Sequence, residues 1–132
     1  MRTFLCLLGL MLLATSLAAA DGFPLADHHY AIVEVNQKAV PVVPDMRPLE
    51  LTFSVAESSV SGCAGVNRIS GTYAIAKQTL TVGPMISTMM AGPDEAMLLE
   101  STVLTILGKP LAITQSERGV LLTSDQGTIL IK

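Results

Sequence analysis

The residues of this chain that could carry out covalent chemistry surround one cysteine. Cys63 stands in a glycine-rich stretch with Asn67 and Arg68 close behind it, and His28 and His29 precede it in the chain. A cysteine nucleophile needs a base that lowers its pKa and a group that orients the base, so these residue types can be written as a Cys/His/Asn hydrolase. Nothing in their spacing favours that arrangement. A packed free thiol explains Cys63 more simply, and an intermolecular disulfide is the other alternative.

Copper binding is a second possible chemistry. Imidazoles and thioethers are ligands that suit copper, and the chain offers His28 and His29 together with several methionines. Adjacent histidines point to opposite sides of an extended chain, which makes them a poor chelating pair. Methionine also fills gaps in apolar cores, so we expect packing rather than metal binding for the later methionines. These are Met85, Met89, Met90 and Met97.

Asp94 and Glu95 are adjacent carboxylates that indicate the start of a helix. Pro93 precedes them, and negative charge in a first turn is stabilised by the helix dipole. We predict a helix from this point to residue 107, because Gly108 and Pro110 then end it. Its apolar face repeats at helical spacing in Ala96, Leu99, Val103 and Leu107.

Short strands are predicted on both sides of this helix. From residue 49 to 55 apolar and polar residues alternate, which is typical of a half-buried antiparallel strand. Lys77 and Gln78 form a polar turn between two further strands. Including the two that flank this turn, the other predicted strands cover residues 30–35, 58–62, 72–76, 79–82, 86–90, 111–114, 120–123 and 128–131. With about eight strands and one helix, the pattern predicts an α+β fold, a mostly antiparallel β half-barrel with the helix packed across it.

The first twenty residues have the features of a secretory signal peptide. Arg2 precedes an apolar run, and small residues with an Ala-x-Ala site lead to Ala20. The run is shorter than the ~20 residues that span a bilayer, and no cysteine follows it where a lipoprotein carries its acyl chain. We therefore expect residues 1–20 to be removed on export. Residues 21–29 would form a tether, and residues 30–132 one soluble domain in a periplasmic or extracellular space.

Charge and composition narrow the classes of partner. Without Arg2, seven basic residues face 11 acidic ones, a formal charge of −4. No basic cluster is present, so we expect no nucleic acid partner. No long apolar segment follows residue 21, so we expect no membrane span. Cys6 leaves with the signal peptide, and Cys63 then stands alone in a compartment that usually oxidises thiols. We expect a monomer without a metal or other cofactor.

Two segments resemble the signatures of the META domain, also called the HslJ-like family. Residues 60–73 read VSGCAGVNRISGTY, and the usual form is V-x-G-x-x-G-C-N-x-(F/I)-x-G-x-Y. Residues 80–91 read LTVGPMISTMMA, which is similar to the second signature, L-x-(I/V)-x-x-(I/L)-x-x-T-x-M-A-C. Glu95 fits the acidic residue that opens the family's helix. The signature residues in this chain are Gly62, Gly65, Asn67, Arg68, Gly71, Tyr73, Thr88, Met90 and Glu95.

The chain departs from the family at two cysteines. Val66 stands where the family has the cysteine of G-C-N, and Gly92 where it has the cysteine of M-A-C. The resemblance implies a cross-link in other members that this chain has lost as a unit. Such a bridge would close a loop of about 26 residues and contribute roughly 3 kcal/mol in the chain-entropy model. The stability of this domain must therefore come from packing.

The resemblance also implies a biological setting. Family members are small envelope or secreted proteins, often lipoproteins, associated with heat shock, antibiotic tolerance or motility, and without an established catalytic activity. We expect a non-enzymatic exported domain, associated with envelope stress, that binds or stabilises an apolar ligand or a protein partner. Asn67 and the glycines first predict a turn, and recognition through the segment from Gly62 to Gly71 is the alternative. An aliphatic cavity between sheet and helix is a second possible binding site. A periplasmic hydrolase using Cys63 and a copper-binding protein using histidine and methionine are the rival functions.

Overall fold

The computed structural model describes residues 28–132, which form ten strands and one helix. The predicted signal peptide, residues 1–20, and all but the last two residues of the predicted tether lie outside the described residues. The strands are β1 (His29–Val35), β2 (Lys38–Ala39), β3 (Glu50–Ser54), β4 (Ser59–Cys63), β5 (Arg68–Ala76), β6 (Thr79–Val82), β7 (Ile86–Ser87), β8 (Leu111–Ser116), β9 (Gly119–Ser124) and β10 (Gly127–Ile131). The helix, α1, is Asp94–Leu107.

Eight of these strands close into an antiparallel barrel. Their order around the ring is β1, β3, β4, β5, β6, β8, β9 and β10, and β10 then pairs with β1. The predicted α+β class, with one helix against an antiparallel barrel, is confirmed, but the prediction of a half-barrel is wrong because the ring is closed. The closing pairs, such as Ile32 with Ile131, join the two ends of the domain. Local periodicity carries no signal for such a distant pairing.

Two hairpins turn through a pair of residues with left-handed backbone. Asn36 and Gln37, between β1 and β2, have φ of 52° and 68°, and Lys77 and Gln78, between β5 and β6, have 51° and 61°. Positive φ at both positions is the mark of a type I′ turn, whose twist matches the twist of the flanking strands. The turn at Lys77 and Gln78 is the predicted one. The sequence did not reveal β2, because a strand of two residues has no periodicity.

The helix packs against the barrel and helps to fill its interior. It begins at Asp94 after Pro93 and ends at Leu107 before Gly108, as predicted. Its buried residues Val103 and Ile106 join one continuous cluster with aliphatic side chains of the strands. Strand residues that are fully buried in this cluster include Leu51, Phe53, Leu80, Leu111, Leu122, Ile129 and Ile131. Within residues 28–132, no helix has both the length and the apolar character needed to cross a membrane.

The glycine-rich stretch that we predicted as a loop is mostly strand. Because β4 continues to Cys63 and β5 begins at Arg68, only residues 64–67 connect them. Gly62 lies within β4 opposite Leu51. A Cβ atom at Gly62 would lie 1.9 Å from the carbonyl oxygen of Glu50, so glycine is required here by the close approach of β3 rather than by a turn.

Candidate functional site

The connection between β4 and β5 lies directly on the first turns of α1. Gly65 has a φ of +144°, and a Cβ atom there would lie 2.9 Å from the carbonyl oxygen of Ala96. Glycine therefore allows both the backbone conformation and the close contact with the helix. The carbonyl of Gly65 also accepts a hydrogen bond of 3.0 Å from the backbone N–H of Arg47. The loop is held between the helix and the segment that precedes β3.

The side chain of Asn67 ties this loop to residues 88–90. Its Oδ1 accepts hydrogen bonds from the backbone N–H of Met90 (2.7 Å) and from the hydroxyl of Thr88 (2.9 Å). Its Nδ2 donates to the carbonyl of Met90 (3.1 Å) and to Oε2 of Glu100 (2.8 Å). A side-chain amide offers two donor hydrogens and two acceptor sites, so all four are used inside the protein. Asn67 is 4% exposed and acts as a structural link between three segments.

Glu100 of α1 holds the same loop from the other side. Its Oε1 accepts hydrogen bonds from the backbone N–H groups of Val66 (3.2 Å) and Asn67 (2.6 Å). Together with the bond from the Asn67 amide, three donors converge on one side chain that is only 5% exposed. Hydrogen bonds to a carboxylate are stronger than bonds between neutral groups. The loop and the helix are therefore connected by a buried polar network rather than by packing alone.

Glu95 lies in the first turn of α1, where the signature places it, but sequence reasoning missed Glu100. Glu95, which we singled out, is exposed, whereas Glu100 is buried. A signal was present, because residue 100 falls on the same helical face as Ala96 and Val103. An acid on a buried face needs donors close to it, and this requirement would have pointed to Glu100.

Positions 66 and 92 are direct neighbours. A Cβ atom built at Gly92 would lie 3.4 Å from Cβ of Val66 and 2.6 Å from its Cγ2. The first distance is just below the usual Cβ to Cβ range of a disulfide, about 3.5–4.5 Å. The Val66 side chain thus occupies the space beside Gly92. It belongs to a small buried cluster with Val43 and Ala96.

The remaining signature residues lie along β5. Gly71 allows residues 84 and 85 to approach, because a Cβ atom there would lie 2.9 Å from Cγ of Met85. The ring of Tyr73 meets that of Phe53 edge to face at 5.2 Å, and Tyr30 contacts Phe53 in the same way at 6.2 Å. Desolvation raises the pKa of the Tyr30 phenol above its ordinary value of 10.0.

The network around Asn67 presents an exposed apolar segment. Ile86 is 77% exposed, Met89 95% and Met90 51%. We had expected Met89 and Met90 to pack in the core, and this is wrong. Asn67 binds the backbone N–H and carbonyl of Met90, which holds the backbone of this segment in place. Met85 packs against the main core and Met97 against the small cluster, as expected.

Arg68 lies beside this segment. Its side chain is exposed, and its backbone is joined to Thr88 by two hydrogen bonds of 3.1 Å. Arg68 and Ile86 line a cleft of about 440 Å³ together with serine and threonine residues. We call the side chains of Arg68, Ile86, Met89 and Met90 the β7 surface.

The residues considered for cysteine chemistry are a buried thiol and two histidines with contacts of their own. Cys63 is 4% exposed and free among the described residues. Nδ1 of His29 lies 2.8 Å from the hydroxyl of Thr52, and its Nε2 lies 3.4 Å from a carboxylate oxygen of Glu50. The ring of His28 meets that of Tyr30 edge to face at 5.8 Å. Both histidines therefore engage groups other than the thiol.

A metal site is not formed by the usual ligands in the described part of the chain. No group of three or more His, Cys, Asp or Glu side chains there could hold a metal ion. His28 and His29 have different contacts, Tyr30 for the first and Thr52 and Glu50 for the second, which agrees with the expectation that they point apart.

An apolar cleft is present at the surface between α1 and the β1–β2 hairpin. It has a volume of about 510 Å³, and its lining includes the apolar residues Val40, Pro41, Leu98 and Leu99. The space between helix and barrel, where we expected an aliphatic cavity, is occupied by the buried cluster. Surface features are therefore the better candidates for recognition.

Comparison with known proteins agrees with the signatures. The sequence profile of the META domain family matches residues 23–132. A protein from Burkholderia xenovorans, solved by NMR, is 26% identical with a TM-score of 0.67, and the match covers 86% of this chain and 84% of that one. A second NMR structure is 25% identical with a TM-score of 0.63, covering 80% of this chain and 88% of the other. Among curated proteins, none matches the chain. Because the profile includes both signatures and most of the sequence, the chain belongs to the META domain family.

Proposed function

We propose that this META domain is an exported, non-enzymatic binding protein of the cell envelope, associated with stress, and that it recognises a protein partner through the β7 surface. The observation that carries the proposal is the exposure of Ile86 and Met89 on a segment whose backbone is held by Asn67. Clusters of exposed large apolar side chains are unusual on monomeric proteins and mark interaction sites. Methionine suits such a site because its flexible, polarizable side chain adapts to different partners.

The buried network supports this assignment indirectly. Asn67 uses all its polar atoms within the protein, and Glu100 accepts three hydrogen bonds from the loop. We therefore assign Asn67 and Glu100 the role of positioning residues 88–90. The exposed side chains of the β7 surface contact the partner. A fixed backbone reduces the entropy lost on binding, which increases the affinity of a small apolar surface.

The geometry around Cys63 supports a function without catalysis. The thiol is buried, and His29, the nearest candidate base by strand pairing, already engages Thr52 and Glu50. We expect iodoacetamide to modify Cys63 at neutral pH only after denaturation, because an activated thiolate must be accessible. Rapid labelling of the folded protein below pH 8 would favour the hydrolase.

The proposal of export rests on residues 1–20 alone. Expression of the full chain in a bacterial host, followed by fractionation and N-terminal sequencing, tests it. A mature protein that begins at Asp21 in the envelope fraction is the expected result. A chain that still begins at Met1 would contradict export by signal cleavage.

Site-specific photo-crosslinking tests the β7 surface. A photoreactive amino acid is placed at Ile86 or Met89 of the full chain, and at Val42 or Val55 as matched controls, because these two valines are also exposed but lie outside the surface. We expect a discrete adduct in the envelope from positions 86 and 89 only. Ile86→Ser should abolish an adduct formed from position 89. Equal adducts from all four positions, or none from 86 and 89, would contradict the proposed function.

A further inference from the structure

The short strand β7 has one free edge. Its residues pair with β5 on one side only, Ile86 with Ser70 and Ser87 with Ile69. The backbone N–H of Thr88 donates to the carbonyl of Arg68. Because the hydrogen-bonding direction alternates along an antiparallel strand, the N–H and C=O of Ser87 point away from β5. Ser87 is exposed, and β7 pairs with no strand other than β5 among the described residues, so these two groups face an edge that no other strand covers.

Arg68 brings an uncompensated positive charge to the same place. Among the described residues, neither ion pair involves Arg68. Glu50 and Arg68 both lie opposite Cys63, on the strands to either side of it, so their backbones are about 10 Å apart. The carboxylate of Glu50 lies 3.4 Å from Nε2 of His29.

We infer that the partner of the β7 surface binds as an extended segment that adds a strand to the free edge of β7. This inference rests on the proposed function and names its binding mode. Free backbone groups on an exposed strand supply the hydrogen bonds of β-strand addition, and neighbouring side chains supply specificity. The exposed Ile86 and Met89 select apolar residues in the added strand, and Arg68 selects an acidic one.

Charge favours a different protein over a second copy of this chain as the occupant. Each copy brings the same Arg68 to the edge, and residues 58–93, which contain β4 to β7, include no acidic residue. Pairing of two β7 edges would therefore bring together two positive charges and no acid from these strands. An extended, apolar segment with one acidic residue supplies both the backbone groups and the charge.

Substitution of Ser87 by proline separates strand addition from side-chain contact. Proline removes the outward N–H of Ser87, which the barrel itself does not use, and proline is tolerated at such edge positions. Ser87→Ala is the matched control, because it removes the hydroxyl and keeps the N–H. The probe is a fluorescent heptapeptide of alternating threonine and valine that carries one glutamate, and a second peptide has lysine in its place. Binding to the full chain is measured by anisotropy, and the fold of each variant by circular dichroism.

We expect wild type and Ser87→Ala to bind the glutamate peptide equally, and Ser87→Pro to bind it about fivefold more weakly, as for the loss of one hydrogen bond. Arg68→Glu should reverse the preference between the two peptides, and this result does not depend on the folding of the proline variant. Equal binding by Ser87→Pro and Ser87→Ala, or no binding of either peptide, would overturn strand addition. Self-association that Ser87→Pro abolishes would also overturn it, by showing a second copy as the occupant.

The crosslinking outcome keeps the two proposals apart. If adducts still form at positions 86 and 89 while the proline variant behaves as wild type, only the binding mode is wrong. If no adducts form at those positions, the β7 surface itself is not the binding site.

Discussion

Replacing Val66 and Gly92 together by cysteine should create a disulfide that stabilises the barrel. The built Cβ at position 92 lies 3.4 Å from Cβ of Val66, close to disulfide geometry. Gly92 is not among the glycines with positive φ, so its backbone accepts a side chain. In the chain-entropy model, a closed loop of about 26 residues contributes roughly 3 kcal/mol. For a domain of this size, that free energy raises Tm by about 10–20 °C.

The assay compares the oxidised and reduced forms of the same double variant. Unfolding in guanidinium chloride with and without a reductant gives the difference in free energy, and thiol titration in denaturant should find two fewer thiols in the oxidised form. This comparison cancels the cost of losing the Val66 side chain, which both forms share. An oxidised form no more stable than the reduced one would refute the reasoning.

Single substitutions at the same place provide a control. Gly92→Ala alone puts a methyl group 2.6 Å from Cγ2 of Val66 and should lower the free energy of unfolding by about 1–3 kcal/mol through overpacking. Adding Val66→Ala removes the clash, so the double variant should lose less than the sum of the two single variants. Additive losses would mean that positions 66 and 92 do not touch.

Three further changes test the network, the loop and one titration. Glu100→Gln replaces the carboxylate oxygen that accepts a hydrogen bond from the Asn67 amide by an NH2 group, which can only donate. Urea unfolding should therefore show a free energy of unfolding lower by about 1–3 kcal/mol. Gly65→Ala should cost about 1–3 kcal/mol because of its φ of +144°, whereas Gly108→Ala, with a φ of −74°, should change stability by less than about 0.5 kcal/mol. Burial raises the pKa of Tyr30 above 10.0, and the neutral phenol is therefore favoured by folding. This contribution to stability is complete below pH 10 and is lost as the pH rises through the folded-state value; absorbance titration that places the pKa at or below 10.0 would contradict it.

Local signals in the sequence were sufficient for the helix and for most strands, but not for β2 or for the parts of β4 and β5 within the glycine-rich stretch. Pro93 and Gly108 bracket the helix as their backbone chemistry requires, and Lys77 and Gln78 form the predicted turn. The alternation in β3 correctly placed Leu51 and Phe53 in the core. Each of these features depends on residues that are neighbours in the chain.

Features that depend on distant residues were not predictable in the same way. The pairing of β1 with β10 and the hydrogen bonds from Asn67 to Met90 and Glu100 join segments that only the folded chain brings together. The exposure of Met89 was missed for the same reason, because its place is decided by bonds to the backbone of the next residue. Of these features, only the burial of Glu100 could have been predicted, because it is an acid on an apolar helical face.

The pairing of β1 with β10 affects the order in which the barrel assembles. Hairpins such as β8 with β9 join strands separated by a short turn, but the pair Ile32 and Ile131 joins the first and last strands of the ring. Bringing distant segments together costs the most chain entropy and slows folding. We therefore expect this junction to form last. Until it forms, β1 and β10 both expose unpaired edges, and these two strands are where partly folded copies should pair with one another and aggregate.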